Sequence, residues 1–252
     1  MPSAYETFQA NIKDAELLLS WATAFENQRT RRMRSELRQR IGDALRLPQA
    51  VRKDLDCLES PDVFVVFKPD GQLARSDFDD LRPMLRPTIV VACAALETFV
   101  ADRVMEIIST SQLTSSDLTS RLGSVPLSVA DWLSIEENYK RRRWGLRAIL
   151  DNHFEQVSST APNRVGEVLA AIDFRDWSRK VDNARGLKPG ATVTELEQIT
   201  TRRNLIAHSA DRKGRGRAHL DTTETRTMLD QIHSIALALE DLLSEHVFPK
   251  SQ

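Results

Sequence analysis

The chain has 252 residues, of which 41% are hydrophobic and 28% are charged. This is the composition of a globular protein with enough apolar residues for a core, and it excludes a fibrous or largely disordered chain. The 35 basic and 36 acidic residues nearly cancel, so no overall field attracts nucleic acid and any basic surface has to be local.

The cysteines and the longest apolar run exclude further classes of protein. Cys57 and Cys93 are too few for a disulfide framework and match no zinc spacing, and the apolar surroundings of Cys93 predict an inert buried thiol. The longest apolar run, Ile89 to Leu96, is far shorter than the ~18 residues of a membrane span. We therefore expect a soluble cytoplasmic protein with no membrane partner, no metal and no other cofactor.

The N-terminal part of the chain predicts a long helix. Apolar residues recur every three or four positions from Tyr5 to Phe25, and the pattern continues to Leu45, where Pro48 would end the helix. The segment 28–40 within it is dense in arginine. Such a segment is either a solvated helix face or an arm that faces phosphates.

A single strand is expected next. Residues 63–67 read Val-Phe-Val-Val-Phe before a Pro-Asp-Gly turn, which fits one hairpin or edge strand better than a sheet domain. Pro83 and Pro87 then interrupt the chain, and Pro87 is suitably placed to open a helix. We divide the chain here into an N-terminal extension, residues 1–82, and a helical domain, residues 83–252.

The remaining chain predicts a series of helices. The clearest runs from Thr88 to Ile108, with Glu97 beside its apolar stripe, and further helical patterns cover 128–154 and 165–172. Two capping boxes, Thr194 with Glu197 and Asp221 with Glu224, mark the starts of the last two helices. Helices joined by loops in this way predict an all-α antiparallel bundle.

The residues most suited to chemistry lie at 202–208, which read Arg-Arg-Asn-Leu-Ile-Ala-His. On a helix that advances about 100° per residue, Arg203 falls within the apolar stripe and Arg202 at its edge. An arginine among core residues needs a partner, because desolvating an unpaired charge is costly. His208 lies about 140° around the helix from Arg203. Either the helix ends before His208, or a second subunit completes the site.

An arginine, a polar residue, three further residues and a histidine resemble the signature of HEPN domains. The segment 92–99 of the earlier helix and the long final helix add to the resemblance, which covers residues 88–245 and is closest to the RiboL-PSP-HEPN type. The resemblance implies a helical bundle that forms a homodimer, with the motif helices meeting at the symmetry axis. The fold class we expect is all-α: a HEPN-like bundle, an N-terminal helical extension, and a short β-hairpin or edge strand.

Many HEPN proteins are metal-independent endoribonucleases of toxin–antitoxin, phage-defence or RNA-processing systems. The resemblance implies that Arg203, Asn204 and His208 form the catalytic set, with RNA as substrate and Glu97 as a residue that could orient Arg203. In this chemistry the 2′-OH attacks the neighbouring phosphate, a histidine moves the proton and an arginine stabilises the developing charge. The products would be a 2′,3′-cyclic phosphate and a 5′-OH.

Basic residues next to the motif are candidates for binding RNA. They are Arg202, Arg212, Lys213, Arg215 and Arg217. The last four lie in a glycine-containing loop, which either binds phosphates or is a flexible, solvated connection.

Two functions remain open at this stage. In the first, the chain is a dimeric ribonuclease that is controlled by an antitoxin or acts with a defence-system protein. In the second, it is a catalytically silent HEPN module that binds RNA or a protein partner for assembly. A structural ion pair of Arg203 with Glu97 is a further alternative, and it could coexist with catalysis. In HEPN toxins paired with a nucleotidyltransferase antitoxin, a tyrosine stands where this chain has Ala210. That difference argues against this form of control without excluding another antitoxin.

Overall fold

A computed structural model gives the arrangement of most of the chain. The residues it describes are 2–26, 29–31, 34–53, 55–59, 64–67, 80–110, 128, 133, 135, 137–138, 142–214 and 216–246. Within them the secondary structure is helical apart from two small antiparallel sheets. The all-α fold expected from the sequence is confirmed.

The helices are α1 Ala4–Glu26, α2 Ser35–Ala44, α3 Gln49–Arg52, α4 Arg82–Thr110, α5 Arg142–Val157, α6 Pro162–Ala170, α7 Trp177–Ala184, α8 Ala191–Ser209 and α9 Thr222–Ser244. The strands are β1 Arg29–Arg31, β2 Asp56–Glu59, β3 Phe64–Phe67, β4 Arg212–Lys213 and β5 Gly216–Arg217. Residues 133, 135, 137 and 138 are also helical, as predicted for that stretch. Trp132 and Tyr139 of the same predicted helix lie outside the described residues.

The main core forms around α4. Helices α1, α5, α6, α8 and α9 all contact it, and Phe99 and Leu96 of α4 are fully buried. The N-terminal helix belongs to this core, since Phe8 and Leu19 of α1 lie in the same cluster as Ile232 of α9. The domain boundary near residue 83 stays a prediction, and α1 packs with the helices that follow that boundary.

The prediction of one long N-terminal helix reaching Leu45 is wrong. The helix α1 ends at Glu26, and residues 29–31 form strand β1, which pairs antiparallel with β2 so that Arg29 lies opposite Glu59. The separate helix α2 then places Ile41 against Leu55, in a small cluster apart from the main core. Two helices in nearly the same phase produced the continuous pattern in the sequence.

The predicted strand at 63–67 is confirmed as the edge strand β3, Phe64–Phe67. It forms a sheet of order β1-β2-β3, in which β2 pairs antiparallel with both neighbours. The prediction of a single hairpin or edge strand placed only residues 63–67 and therefore did not place β1 or β2. The sequence of β1, Arg-Thr-Arg, carries no apolar alternation from which it could be recognised.

Helix α4 begins at Arg82, six residues before the predicted start at Thr88. Pro87 lies inside the helix, where its missing N–H removes one hydrogen bond. One residue later, Thr88 Oγ1 donates to the carbonyl of Met84 at 2.9 Å. At the start of the helix, Asp80 accepts from the backbone N–H of Arg82 at 3.0 Å.

Helix α4 is long and apolar enough, by length and composition alone, to cross a membrane. More than half of its most apolar window, 56%, is buried inside the protein. The central position of α4 in the core accounts for its apolar character, because such a helix is surrounded by other helices.

Candidate functional site

Helix α8 carries the motif, and the chain before it fixes where it begins. Gly190 adopts φ +88° at the N-cap, and the carboxylate of Asp182 accepts from the backbone N–H groups of Gly190 (2.7 Å) and Thr192 (2.8 Å). Burial acts to raise the pKa of Asp182, but hydrogen bonds from Thr192 and Gly190 outweigh it and hold the pKa below its usual value. The predicted capping box is wrong here, because Thr194 lies inside the helix and donates to the carbonyl of Gly190.

The same helix continues without a break through His208 to Ser209. The alternative in which the helix ends before His208 is therefore wrong. His208 lies five positions after Arg203 on the helix, which places the two side chains about 140° apart around the axis. Both Asn204 and His208 are exposed. One protomer thus presents the arginine and the histidine on different faces of α8.

Arg203 contacts Glu97 of α4, as the sequence suggested. Its Nη2 lies 3.8 Å from Glu97 Oε2, while Oε1 of the same carboxylate accepts from the backbone N–H of Thr160 at 3.1 Å. The side chain of Arg203 remains 31% exposed, against 16% for Glu97. Its Nη1 also donates to Asn204 Oδ1 at 3.3 Å. The guanidinium is held at one edge and reaches solvent at another.

Burial shapes the charges around Glu97. It raises the pKa of the Glu97 carboxyl above its ordinary value, while the Thr160 N–H and Arg203 act in the opposite direction. One turn earlier on α4, burial raises the pKa of the Cys93 thiol to about 12, and the nearby Glu97 charge adds to this effect. The prediction that Cys93 is a buried, inert thiol agrees with this environment.

Arg202 occupies a different environment from the one predicted. Its side chain is only 13% exposed, so it is more buried than Arg203, and its Nη2 donates to Asp211 Oδ2 (3.2 Å) and to the carbonyl of His219 (2.6 Å). Arg86 of α4 donates to the same Asp211 oxygen from Nε at 3.1 Å. The contact of Arg202 with RNA stays a prediction, but its Nη2 already donates two hydrogen bonds within the protein.

The turn that follows α8 brings Asp211 to these arginines. Ala210 and Asp211 both have positive φ, at 49° and 59°, so the chain reverses immediately after the helix. The backbone N–H of Asp211 donates to the carbonyl of Leu205, and its own carbonyl accepts from Ala218 N at 2.7 Å. The Asp211 side chain is completely buried. Nothing in the sequence pattern identified Asp211 or Arg86, because their pairing joins residues 125 positions apart.

The basic segment after the turn is a short hairpin. Strands β4 and β5 pair antiparallel, with Arg212 opposite Arg217 and Gly214 at φ 63° in the turn. Both arginines are exposed. Like charges directly opposite each other destabilise a strand pair, so this arrangement does not serve the stability of the hairpin. Arg215 and the side chain of Lys213 lie outside the described residues.

Comparison with known proteins adds one finding. A family model described as RiboL-PSP-HEPN matches residues 69–245, which is more than two thirds of the chain. The match spans α4 to α9 and therefore includes Glu97, the motif on α8 and the basic hairpin. No curated protein and no solved structure matches the chain.

Proposed function

Because the chain belongs to the RiboL-PSP-HEPN family, we propose that it is a metal-independent endoribonuclease. The 2′-OH of RNA attacks the adjacent phosphate and leaves a 2′,3′-cyclic phosphate and a 5′-OH. The observation that carries the proposal is the environment of Arg203. Its guanidinium lies 3.8 Å from the carboxylate of Glu97, and 31% of its side chain stays exposed. A purely structural buried arginine would be enclosed by its partner, as Arg202 is.

Each motif residue has a role suited to its chemistry. Arg203 stays charged and offers a planar fork that stabilises negative charge on the phosphate oxygens as they are attacked. The exposed His208 takes the proton from the 2′-OH or gives one to the leaving 5′-oxygen. Asn204 accepts a hydrogen bond from Arg203 at 3.3 Å, which leaves its amide N–H groups to hold a phosphate oxygen.

We propose that the active protein is a homodimer in the cytoplasm. Within one straight helix, Arg203 and His208 lie about 140° apart and cannot act on the same phosphate. A twofold axis near α8 brings Arg203 of one protomer towards His208 of the other. Arg212 and Arg217 of the hairpin would hold neighbouring phosphates of the strand. The setting we propose is a toxin–antitoxin or phage-defence system.

The second candidate is a catalytically silent module that binds RNA or a protein for assembly. One observation favours it: Arg203 pairs with Glu97, and such a pair is also found where an arginine is only structural. The overall charge of −1 points the same way, since it provides no general attraction to RNA.

Incubation of total RNA with the purified protein in EDTA separates the two candidates. We expect the wild type to produce fragments with cyclic-phosphate and 5′-OH ends, and Arg203→Ala or His208→Ala to reduce the rate by about 10²–10⁴-fold. Arg179→Ala, at an exposed arginine of α7, serves as the matched control and should cleave normally. Equal fragmentation by all variants, or none by the wild type, would favour the silent module.

A mixture of the two inactive variants tests the shared site. In a mixed dimer, one protomer keeps Arg203 and the other keeps His208, so one complete site forms if the two residues come from different protomers. We expect an equal mixture to recover about a quarter of the wild-type rate after subunit exchange. A mixture as inactive as its components would show that each protomer supplies both residues itself.

A further inference from the structure

A segment rich in basic residues and poor in acids lies outside the family match. Residues 29–53 contain nine arginines and lysines but only two acids, a net charge of +7 in a chain whose total is −1. The rest of the chain therefore carries −8. This segment precedes residue 69, where the family match begins, so the HEPN site does not account for it.

The helical part of this segment, α2 with α3, has its own small core. Ile41 and Leu47 pack against the buried Leu55, in a cluster separate from the main core. Arg52 is used internally: its Nε donates to the carbonyl of Leu47 at 2.8 Å, and its guanidinium pairs with Asp43. One of the two acids is thereby neutralised within the fold.

Four cations on or beside α2 and α3 face solvent, whereas Arg38 of α2 is only partly exposed. Arg34, Arg40, Arg46 and Lys53 are all exposed. We call these four residues the α2–α3 basic surface. Glu36 is the one acid on these helices that is not paired with Arg52. The surface therefore presents a local excess of positive charge.

Two of these arginines occupy positions where helix stability favours other residues. Arg34 is the N-cap of α2 and makes no side-chain capping hydrogen bond, although serine, threonine or aspartate would cap the helix. A cation at that end also lies at the positive pole of the helix dipole. Arg46 has φ 54° just after the helix, a position usually taken by glycine or asparagine. The stability of α2 therefore does not account for either arginine.

We propose that the α2–α3 basic surface is a second RNA-binding surface, which holds the phosphate backbone outside the HEPN site. Arginine suits this task because its planar fork donates two hydrogen bonds to one phosphate. Contacts of this kind are independent of sequence and weaken steeply with salt. The inference goes beyond the proposed nuclease, since it concerns binding alone and holds equally for a silent module.

An anionic membrane is the competing polyanion, and the structure favours RNA over it. Binding at a membrane interface needs a large apolar face beside the cations. Helix α2 has only ten residues, and the exposed large apolar side chains of this unit are Leu37 and Leu45 among the described residues. The apolar area available is too small for a membrane anchor.

Fluorescence anisotropy with a short oligouridine tests the proposal in the full-length His208→Ala protein, which keeps the probe intact. We expect Arg34→Gln/Arg40→Gln/Arg46→Gln to raise the dissociation constant about tenfold or more. The slope of log K against log salt between about 50 and 200 mM should fall by about 2. The matched control, Arg175→Gln/Arg179→Gln/Arg226→Gln, removes three exposed arginines of α9 and the α7 region and should change binding less than about twofold. Glu36→Gln, which removes the acid of α2 that does not pair with Arg52, should tighten binding in a protein that folds normally.

Three results would overturn the proposal. Equal weakening by both triple variants would show that only total charge matters. Unchanged binding in all variants would exclude the surface. Unchanged RNA binding with lost cosedimentation on phosphatidylserine vesicles would assign it to a membrane. Absence of RNA cleavage by the wild type would count against the proposed function and leave this measurement unaffected.

Discussion

Two carboxylates hold two consecutive arginines of α8, and they hold them differently. Asp211 is completely buried, and one of its oxygens accepts from both Arg86 and Arg202 at 3.1 and 3.2 Å. Glu97 is 16% exposed; its Oε2 lies 3.8 Å from Arg203 Nη2, and its Oε1 accepts from the Thr160 N–H. The first cluster encloses its arginines, and the second leaves its arginine within reach of a ligand.

This difference in burial indicates which of the two clusters stabilises the fold. The buried carboxylate of Asp211 is shared by two guanidinium groups and joins the turn after α8 to α4. Its loss would leave two buried positive charges without this partner, which is destabilising. A half-exposed arginine on a looser ion pair contributes little to stability but can bind an anion. The comparison predicts that substitutions at Asp211 affect stability, whereas substitutions at Arg203 and its surroundings affect chemistry.

The largest effect on stability is expected for Asp211→Asn. Asparagine keeps the shape of the side chain and tolerates the positive φ, but it removes the negative charge that the buried Arg86 and Arg202 share. We expect a loss of about 3–5 kcal/mol in the free energy of unfolding, measured by urea denaturation at fixed protein concentration. Glu167→Gln, in the exposed pair with Arg164, is the control and should cost at most about 1 kcal/mol. Similar losses in the two variants would contradict the assignment of Asp211 to the fold.

A smaller effect, visible as a pH dependence, is expected for Glu97→Gln. Burial raises the folded-state pKa of Glu97 above its ordinary value of 4.5. The Thr160 N–H and Arg203 act to lower the same pKa, and the buried thiol of Cys93 lies nearby. A raised pKa means that folding favours the protonated form. The stability from this group is complete below the unfolded pKa and is lost as the pH rises through the folded one.

Glutamine does not titrate, so the Glu97→Gln variant should lose this contribution to the pH dependence of stability. We expect urea denaturation between about pH 4 and pH 7 to show that the free energy of unfolding of the wild type decreases relative to that of Glu97→Gln as the pH rises above 4.5. The exposed Glu167→Gln again provides the comparison. A constant difference between Glu97→Gln and wild type over the whole range would show that burial does not disfavour the Glu97 charge.

The sequence predicted the parts of this site that depend on local pattern. The stripe on α8 led to a pairing of Arg203 with Glu97, and the capping box at Asp221 is confirmed by a 2.7 Å hydrogen bond from the N–H of Glu224. The sequence did not identify the partner of Arg202, because a helical wheel contains no information about the chain reversal that brings Asp211 back to the helix. Contacts between distant residues decided this position.

The start of α8 teaches the same lesson about helix ends. Thr194 and Glu197 have the spacing of a capping box, yet Asp182 from the previous helix caps the backbone at Gly190 and Thr192 instead. The side chain eight positions before the N-cap Gly190 therefore has the role that the local pattern assigned to Thr194. The prediction of one long N-terminal helix failed for a different reason. The apolar periodicity continued through residues 29–31, which form a strand because they pair with β2, and that pairing is a property of the fold.

The smallest expected effect concerns Cys93, which lies one turn from Glu97 at the base of the looser cluster. Burial raises the pKa of its thiol to about 12, so it stays protonated and enclosed at neutral pH, where the thiolate is the reactive form. In a Cys57→Ser background, we expect no alkylation by iodoacetamide near pH 8 in the folded protein and full alkylation in urea, as followed by mass spectrometry. Alkylation of the folded protein at a rate close to that in urea would mean that the space beneath Glu97 opens to solvent. The guanidinium of Arg203 would then lack the fixed support on which its contrast with Arg202 depends.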